Sequence, residues 1–294
     1  MNEDERLKKL VQEQYGKIAN QDKSANAASC CGGTEVSAEV YNIMMDEYNG
    51  LEGYNPEADL GLGCGLPTQF AHIEKGDTVI DLGSGAGNDC FVARHETGES
   101  GKVIGIDFTE QMINKARENA EKLGFNNVEF RYGDIENMPV SDDVADVIVS
   151  NCVLNLVPNK PAVINDIFRV LKPGGHFSIS DIVLKGELPE ALRKDAEMYA
   201  GCVAGAIQKD DYLEHIRKAG FTEITVQKEK PIVIPDDILK HYLSAEELEM
   251  FKNQEIGIVS VTVYAEKPGE KLSEKKKVSL AELNEGCTPG GGCC

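Results

Sequence analysis

The stretch VIDLGSGAGNDC, Val79 to Cys90, runs a short apolar segment straight into three glycines at alternate positions, Gly83, Gly85 and Gly87. Apolar β-formers ending in glycine, followed by NDCFVARHE, read as a strand that turns sharply into a helix. Glycine permits the tight turn and lets the backbone approach a ligand closely. Such a turn alone is shared by dinucleotide and nucleoside binders. Here the spacing is G-x-G-x-G, preceded by Asp81, in place of G-x-G-x-x-G, which argues against a nicotinamide dehydrogenase.

Outward from this turn the chain alternates strand and helix. KVIGIDF is a second strand, and TEQMINKARENAEKLG is a periodic helix with Thr109 as its cap. NVEFRYG and ADVIVSN are the third and fourth strands, separated from the fifth, HFSISDIV, by the helix PAVINDIFRVLKPGG, which Pro173 stops. Alternation at this spacing predicts an α/β protein: a mostly parallel, Rossmann-like sheet with helices on both faces. Further helices are expected over Glu190–Ala206 and Asp210–Ala219, and strands near Thr222–Lys228 and Gly257–Glu266, as a smaller C-terminal α+β region. Upstream, residues 1–22 and Ala38–Glu47 have helical spacing. LEGYNPEADLGLGCGLP is a long Gly- and Pro-rich loop of the kind that carries function. The expected divisions are 1–75, N-terminal helices and a cysteine-bearing loop over the site; 76–185, the nucleoside-binding domain; 186–267, a cap; and 268–294, a Cys-containing tail.

A net charge of −20 opposes nucleic acid or an anionic membrane as partner, since both need a basic surface. No apolar run reaches membrane-spanning length, and the opening MNEDERLKKLVQEQYGK is too charged for a secretory signal. The chain is therefore expected in the cytoplasm, where thiols stay reduced. Its nine cysteines are grouped, with Cys30 beside Cys31, Cys293 beside Cys294, and Cys64 in a glycine-rich loop. Such grouping points to soft-metal binding or redox chemistry.

Asp107 closes the second strand in IGIDFT, where a carboxylate accepts both ribose hydroxyls of a nucleoside. With the glycine turn and Asp81, it makes the segment from Gly76 to Val183 resemble the class I S-adenosylmethionine-dependent methyltransferases. That resemblance implies a methionine moiety over Gly83, Ser84 and Gly85, and a ribose on Asp107. It implies adenine flanked by Phe108 or Met112, with Asp134 and Ile135 of GDIE at its edge. The plainer reading makes Asp107 a helix cap and Met112 core.

In such folds the residues after the fourth strand face the transferable methyl, and here they are Asn151 and Cys152 of IVSNCVLNLVPNK. Cys202, in MYAGCVAGA, lies in the stretch expected to cover the site, whereas Cys90, inside the first helix, reads as a small buried hydrophobe. SCCGG, GYNPEADLGLGCGLP, DLGSGAGNDC, SNCVLNLVP, RVLKPGG and CVAGA occur in the order seen in arsenite S-adenosylmethionine methyltransferases, and this resemblance spans nearly the whole chain. It implies Cys64, Cys152 and Cys202 as arsenic(III) ligands and Cys30 or Cys31, with Cys31 preferred, as a fourth thiol. Leu62 departs from family members that carry tyrosine there. Arsenite and methylarsenite would be the substrates. Arsenic has no proton to remove, so no general base is needed. Returning methylated arsenic to the trivalent state takes electrons, which neighbouring cysteines give by forming a disulfide that thioredoxin or glutathione resets. Cys293 and Cys294 are expected to capture arsenic, Cys287 is left undecided, and the chain is expected to be a monomer. The alternatives are a methyltransferase of an organic small molecule and a thiol-based arsenic- or metal-sequestering protein.

Overall fold

Val79, Ile80, Leu82, Val147, Ile148 and Val149 are fully buried, because the strands that carry them are covered on both faces. The computed structural model describes residues 2–20, 46–187, 205–233, 236, 239–240, 243–253 and 257–269. Within them β1 (Thr78–Leu82), β2 (Lys102–Asp107), β3 (Val128–Tyr132), β4 (Ala145–Asn151) and β5 (Leu171–Lys185) run parallel. β7 (Gly257–Glu266) is antiparallel to β5 and to the edge strand β6 (Thr222–Ile232). The sheet order is β3-β2-β1-β4-β5-β7-β6, which is the α/β class expected. The chain runs outward from β1 to β3 and then resumes at β4 on the other side of β1. The carboxyl ends of β1 and β4 therefore flank a switch-point crevice, where open α/β sheets bind ligands.

The described α-helices that pack around this sheet or extend from it include α1 (Glu3–Ile18), α2 (Asn88–Thr97), α3 (Glu110–Leu123), α4 (Lys160–Val170), α5 (Lys209–Lys218) and α6 (Ala245–Asn253). One sheet face packs Val79, Val103, Val147 and Val149 against Phe91, Ala93, Ile113 and Ala116 of α2 and α3. The other packs Ile80, Ile104 and Ile148 against Val163 and Ile167 of α4 and Tyr212 and Ile216 of α5. Alternate residues of one strand thus feed two cores. Among the described residues no helix is long and apolar enough to cross a membrane.

Three local expectations change. α4 ends at Val170 and not at Pro173, because proline drives the residue before it into extended backbone, and β5 already starts at Leu171. Thr109 occupies the N-cap of α3 without a side-chain capping bond; Asp107 Oδ1 accepts the Thr109 N–H instead, at 2.7 Å. The C-terminal strands do not form a region of their own. β7 pairs with β5 from Gly257 against Lys185 to Glu266 against His176, so its apolar residues finish the main core. Nearly all of the helices expected over Glu190–Ala206 and Ala38–Glu47 lies outside the described residues.

Candidate active site

A cleft of about 1010 Å³ opens at the carboxyl ends of β1, β2 and β4. Its floor is the glycine turn. The Gly83 and Ser84 N–H groups donate to the Ile106 carbonyl at 2.8 and 3.0 Å, and the Gly85 N–H donates to Asp107 Oδ2 at 3.0 Å. Gly83 has φ +65°, and a Cβ there would lie 2.4 Å from Val153 Cγ2, so no side chain fits. Gly85 has φ +52°, and a Cβ would meet nothing within 4 Å, so bare backbone is presented to open space. Of the residues expected to hold the cofactor, Asp81, Gly83, Ser84, Gly85, Asp107, Phe108, Met112, Asp134, Ile135 and Asn151 all line the cleft. Gly87 does not. It caps α2 at φ +98°, and a Cβ there would strike Phe91 and Phe130, so packing requires glycine at this position.

The cleft is acidic and its polar atoms are incompletely paired. Burial pushes the carboxyl groups of Asp81 and Asp107 up, and the charge of Asp89 raises Asp81 further. Burial also lifts Asp89 to about 6, although Tyr48 and Asn151 donate to it. Ser84 Oγ, Asn88 Oδ1 and Asp89 Oδ1 are buried without a hydrogen-bond partner among the described residues. Buried polar groups are rarely left so. A cationic nucleoside bearing donor groups fits here. Asp107, both of whose oxygens already hold the turn, keeps further lone pairs for a hydroxyl. Met112 is both core and wall, so its two readings coincide.

At the end of β4, Cys152 is joined to Cys64 by a disulfide, with Cα atoms 5.8 Å apart across 88 residues of sequence. Both are buried, and Cys152 lines the cleft. Cys152 adopts φ +60°, a left-handed conformation uncommon outside glycine, fixed by its N–H to the Ser180 carbonyl at 2.8 Å. The resemblance groups Cys64 and Cys152 with Cys202 as arsenic ligands; in the structure the first two meet, as a disulfide. Cys90 is buried, its thiol donating to Asp81 Oδ2 at 3.2 Å. Cys30, Cys31, Cys202, Cys287, Cys293 and Cys294 lie outside the described residues.

Several residues went unread in the sequence. Lys8, Val11 and Tyr15 of α1 roof the cleft, with Lys8 Nζ on Asp134 Oδ2 at 2.6 Å and Gln12 Nε2 donating to the Phe108 carbonyl at 2.8 Å. Tyr48 Oη donates to Asp89 Oδ2 at 2.8 Å. Asp89 stood in plain view inside GNDC; the helical spacing of residues 1–22 announced a buried face but not what it covers.

The fold and a cationic-nucleoside cleft at its switch point define a methyltransferase of the Rossmann-like class. A protein-family model described as a methyltransferase domain matches residues 73–220. The arsenite methyltransferase of Halobacterium salinarum is 40% identical over 90% of this chain and 67% of its own length. That of Aquipseudomonas alcaligenes is 35% identical over 79% of this chain and 67% of its own. Among solved structures, the arsenic(III) S-adenosylmethionine methyltransferase of Chlamydomonas reinhardtii superposes with a TM-score of 0.59 at 33% identity, covering 72% of this chain and 69% of that one. The chain belongs to the arsenite methyltransferase family, spanning about two thirds of the length of these curated relatives.

Proposed function

We propose that this chain methylates trivalent arsenic, arsenite first and methylarsenite after it, with S-adenosylmethionine as donor and cysteine thiolates as the arsenic seat. The observation that carries the reading is the meeting of Cys64 and Cys152 beside a nucleoside cleft floored by Gly83, Ser84 and Gly85. When bound, S-adenosylmethionine supplies a methyl group made electrophilic by its sulfonium. Asp107 holds the ribose, and Asp89, whose carboxyl is lifted only to about 6, sets negative charge beside the cationic part. The apolar walls from Leu60, Leu62 and Val153 keep water away.

Trivalent arsenic prefers sulfur to water, imidazole or carboxylate. Cys152 and Cys202 are its assigned ligands, with Cys64 and the Cys30/Cys31 site added for arsenite. Three sulfurs leave its lone pair free to attack the methyl group, and catalysis is then chiefly positioning. The disulfide must open before Cys64 and Cys152 can bind, so a thiol reductant, thioredoxin or glutathione, precedes each capture. It also resets the pair after the two thiols have returned two electrons to the oxidised arsenic. We assign Cys293 and Cys294 to capture, and a monomeric cytoplasmic enzyme completes the reading. Truncation after Glu285 should raise the arsenite KM without abolishing turnover.

The test is to incubate reduced protein with methyl-labelled S-adenosylmethionine, arsenite and glutathione, then speciate the arsenic. Labelled methylarsenicals are expected. Their absence, with the protein folded and the cofactor bound, would sink the reading.

A further inference from the structure

Asn151 is bonded through the chain to Cys152, yet its side chain turns toward Cys64. Its Oδ1 accepts the N–H groups of Cys64 and Gly65 at 3.1 and 3.3 Å. Its Nδ2 donates to the Gly65 carbonyl at 2.8 Å and to Tyr48 Oη at 2.6 Å. Both amide protons and both lone pairs are then spent on protein, leaving the amide nothing with which to hold a cofactor. The other end of the same peptide is held as well, since Ser260 Oγ of β7 donates to the Cys64 carbonyl at 2.7 Å. The loop sits so close that a Cβ on Gly63 would lie 2.6 Å from Asn151 Nδ2, and one on Gly65 would lie 2.5 Å from Ser180 Oγ. Beyond Asn151, the Tyr48 hydroxyl donates to Asp89, whose free oxygen Oδ1 belongs to the cofactor cleft.

We propose that Asn151 is a positioning residue that clamps the Cys64 loop onto the start of the Cys152 turn. The clamp presets two thiols 88 residues apart in sequence for one soft ion. Asn151 acts on the backbone at both cysteines, because it accepts from the amide of one and precedes the other. The proposal deepens the thiol reading above and rests on it for the purpose of the clamp, but the geometry it asserts is testable without arsenic.

A clamp of this kind sets the effective concentration of one thiol at the other, and thiol–disulfide exchange reads that quantity. The full-length protein is equilibrated in glutathione redox buffers, in which one glutathione disulfide and two protein thiols give the Cys64–Cys152 disulfide and two glutathione thiols. Alkylation and mass spectrometry of the Cys64 and Cys152 peptides follow that one pair. Asn151→Ala is expected to lower the equilibrium constant by about tenfold or more, while Cys90, buried in α2, stays as resistant to alkylation as in wild type. A merely structural loss would expose Cys90 as well. An unchanged exchange constant in Asn151→Ala overturns the clamp, as does parallel exposure of Cys90. Should Asn151→Ala fail to fold, Tyr48→Phe removes a single Nδ2 acceptor and is expected to lower the constant about threefold; no change there overturns the clamp equally. Wild-type protein that makes no methylarsenical, with these exchange results intact, would remove the proposed function and leave the clamp standing.

Discussion

The two walls of the cleft are built in opposite ways. The cofactor wall comes largely from one continuous run, residues 81 to 112, whose strand-turn-helix units fold locally and deliver Gly85 and Asp107 to the same spot. The thiol wall joins Cys64 of a long loop to Cys152 after β4, and nothing local brings these residues together. It is held by two side-chain bonds to backbone, Asn151 to the Cys64 amide and Ser260 to its carbonyl, and by one backbone bond, from the Cys152 N–H to the Ser180 carbonyl. One wall therefore stands on secondary structure and the other on a few specific bonds, so substitutions should separate them.

The largest separation is expected from Cys152→Ser. Arsenite methylation should fall by on the order of 10³-fold or more, because positioning is nearly all of this catalysis. The S-adenosylmethionine Kd, read by calorimetry, should stay within about threefold. Activity that survives would mean an organic methyl acceptor and bystander thiols. Cys64→Ser should divide the substrates: about a 100-fold loss on arsenite, because binding leans on three sulfurs, but methylarsenite turnover within about tenfold, because carbon already fills one arsenic valence. Full arsenite turnover in that variant defeats the assignment of Cys64.

Asp107→Ala attacks the other wall. A hydrogen bond to a carboxylate contributes about 1.5–3 kcal/mol, so cofactor affinity should weaken roughly 10- to 150-fold. Arsenite binding by the reduced protein should be unmoved. Because Asp107 also props the Gly85 and Thr109 amides, its alanine variant should be checked by thermal melting before the affinity is read.

The same contrast explains what the sequence disclosed. Glycine spacing, an acid at a strand end and alternating strands and helices are local patterns with local causes, so the parallel sheet and the floor of the cleft were legible from them. No local pattern links Cys64 to Cys152; the resemblance to the arsenite methyltransferases set them in one ligand group, without the bond between them. Asn151 was read as facing the cofactor because its position at the end of β4 implies that. Its turn toward the Cys64 amide depends on how residues 63–65 pack against β5 and β7, which no periodicity encodes. The packing role of Gly87 was hidden for the same reason: at φ +98° it admits the approach of Phe91 and Phe130, which its spacing does not announce. Likewise β6 and β7 looked like a separate region, since antiparallel addition to a sheet leaves no mark on the strands themselves.

A smaller effect should come from Asp89→Asn, which tests whether the acidity of the floor is functional. Burial lifts this carboxyl from 3.8 to about 6, so the folded protein prefers it protonated. The stability this contributes is full below pH 3.8 and is lost as pH rises through 6, on the order of 3 kcal/mol. The cofactor-free protein should therefore melt lower at pH 7.5 than at pH 5, and Asn should narrow that gap. A cationic cofactor prefers the ionised carboxylate, so wild-type affinity should strengthen as pH rises through 6. The variant should bind about tenfold more weakly at pH 7.5 and lose the pH dependence. An affinity in the variant that still climbs with pH would assign the effect to Asp81 or Asp107.

The smallest expected change lies where neither wall's logic applies, in the roof. Lys8 of α1 pairs with Asp134 and Glu136, and Gln12 reaches the Phe108 carbonyl, so this helix is fastened to the rim of the adenosine end by polar bonds. The capping box of Asn2 and Glu5 begins the helix, but Leu7 and Leu10 remain exposed on it, and its hold on the body is correspondingly light. Partly exposed ion pairs contribute about 0.2–1 kcal/mol, so Lys8→Ala should raise the cofactor Kd only about two- to fivefold. If α1 must lift for the nucleoside to leave, the change should fall mainly on the dissociation rate, measurable by stopped-flow displacement, and should shrink at high salt as the wild-type pair is screened. An unchanged dissociation rate would make the helix a fixed wall, and the cleft would then have to open on its thiol side, at the Cys64 loop.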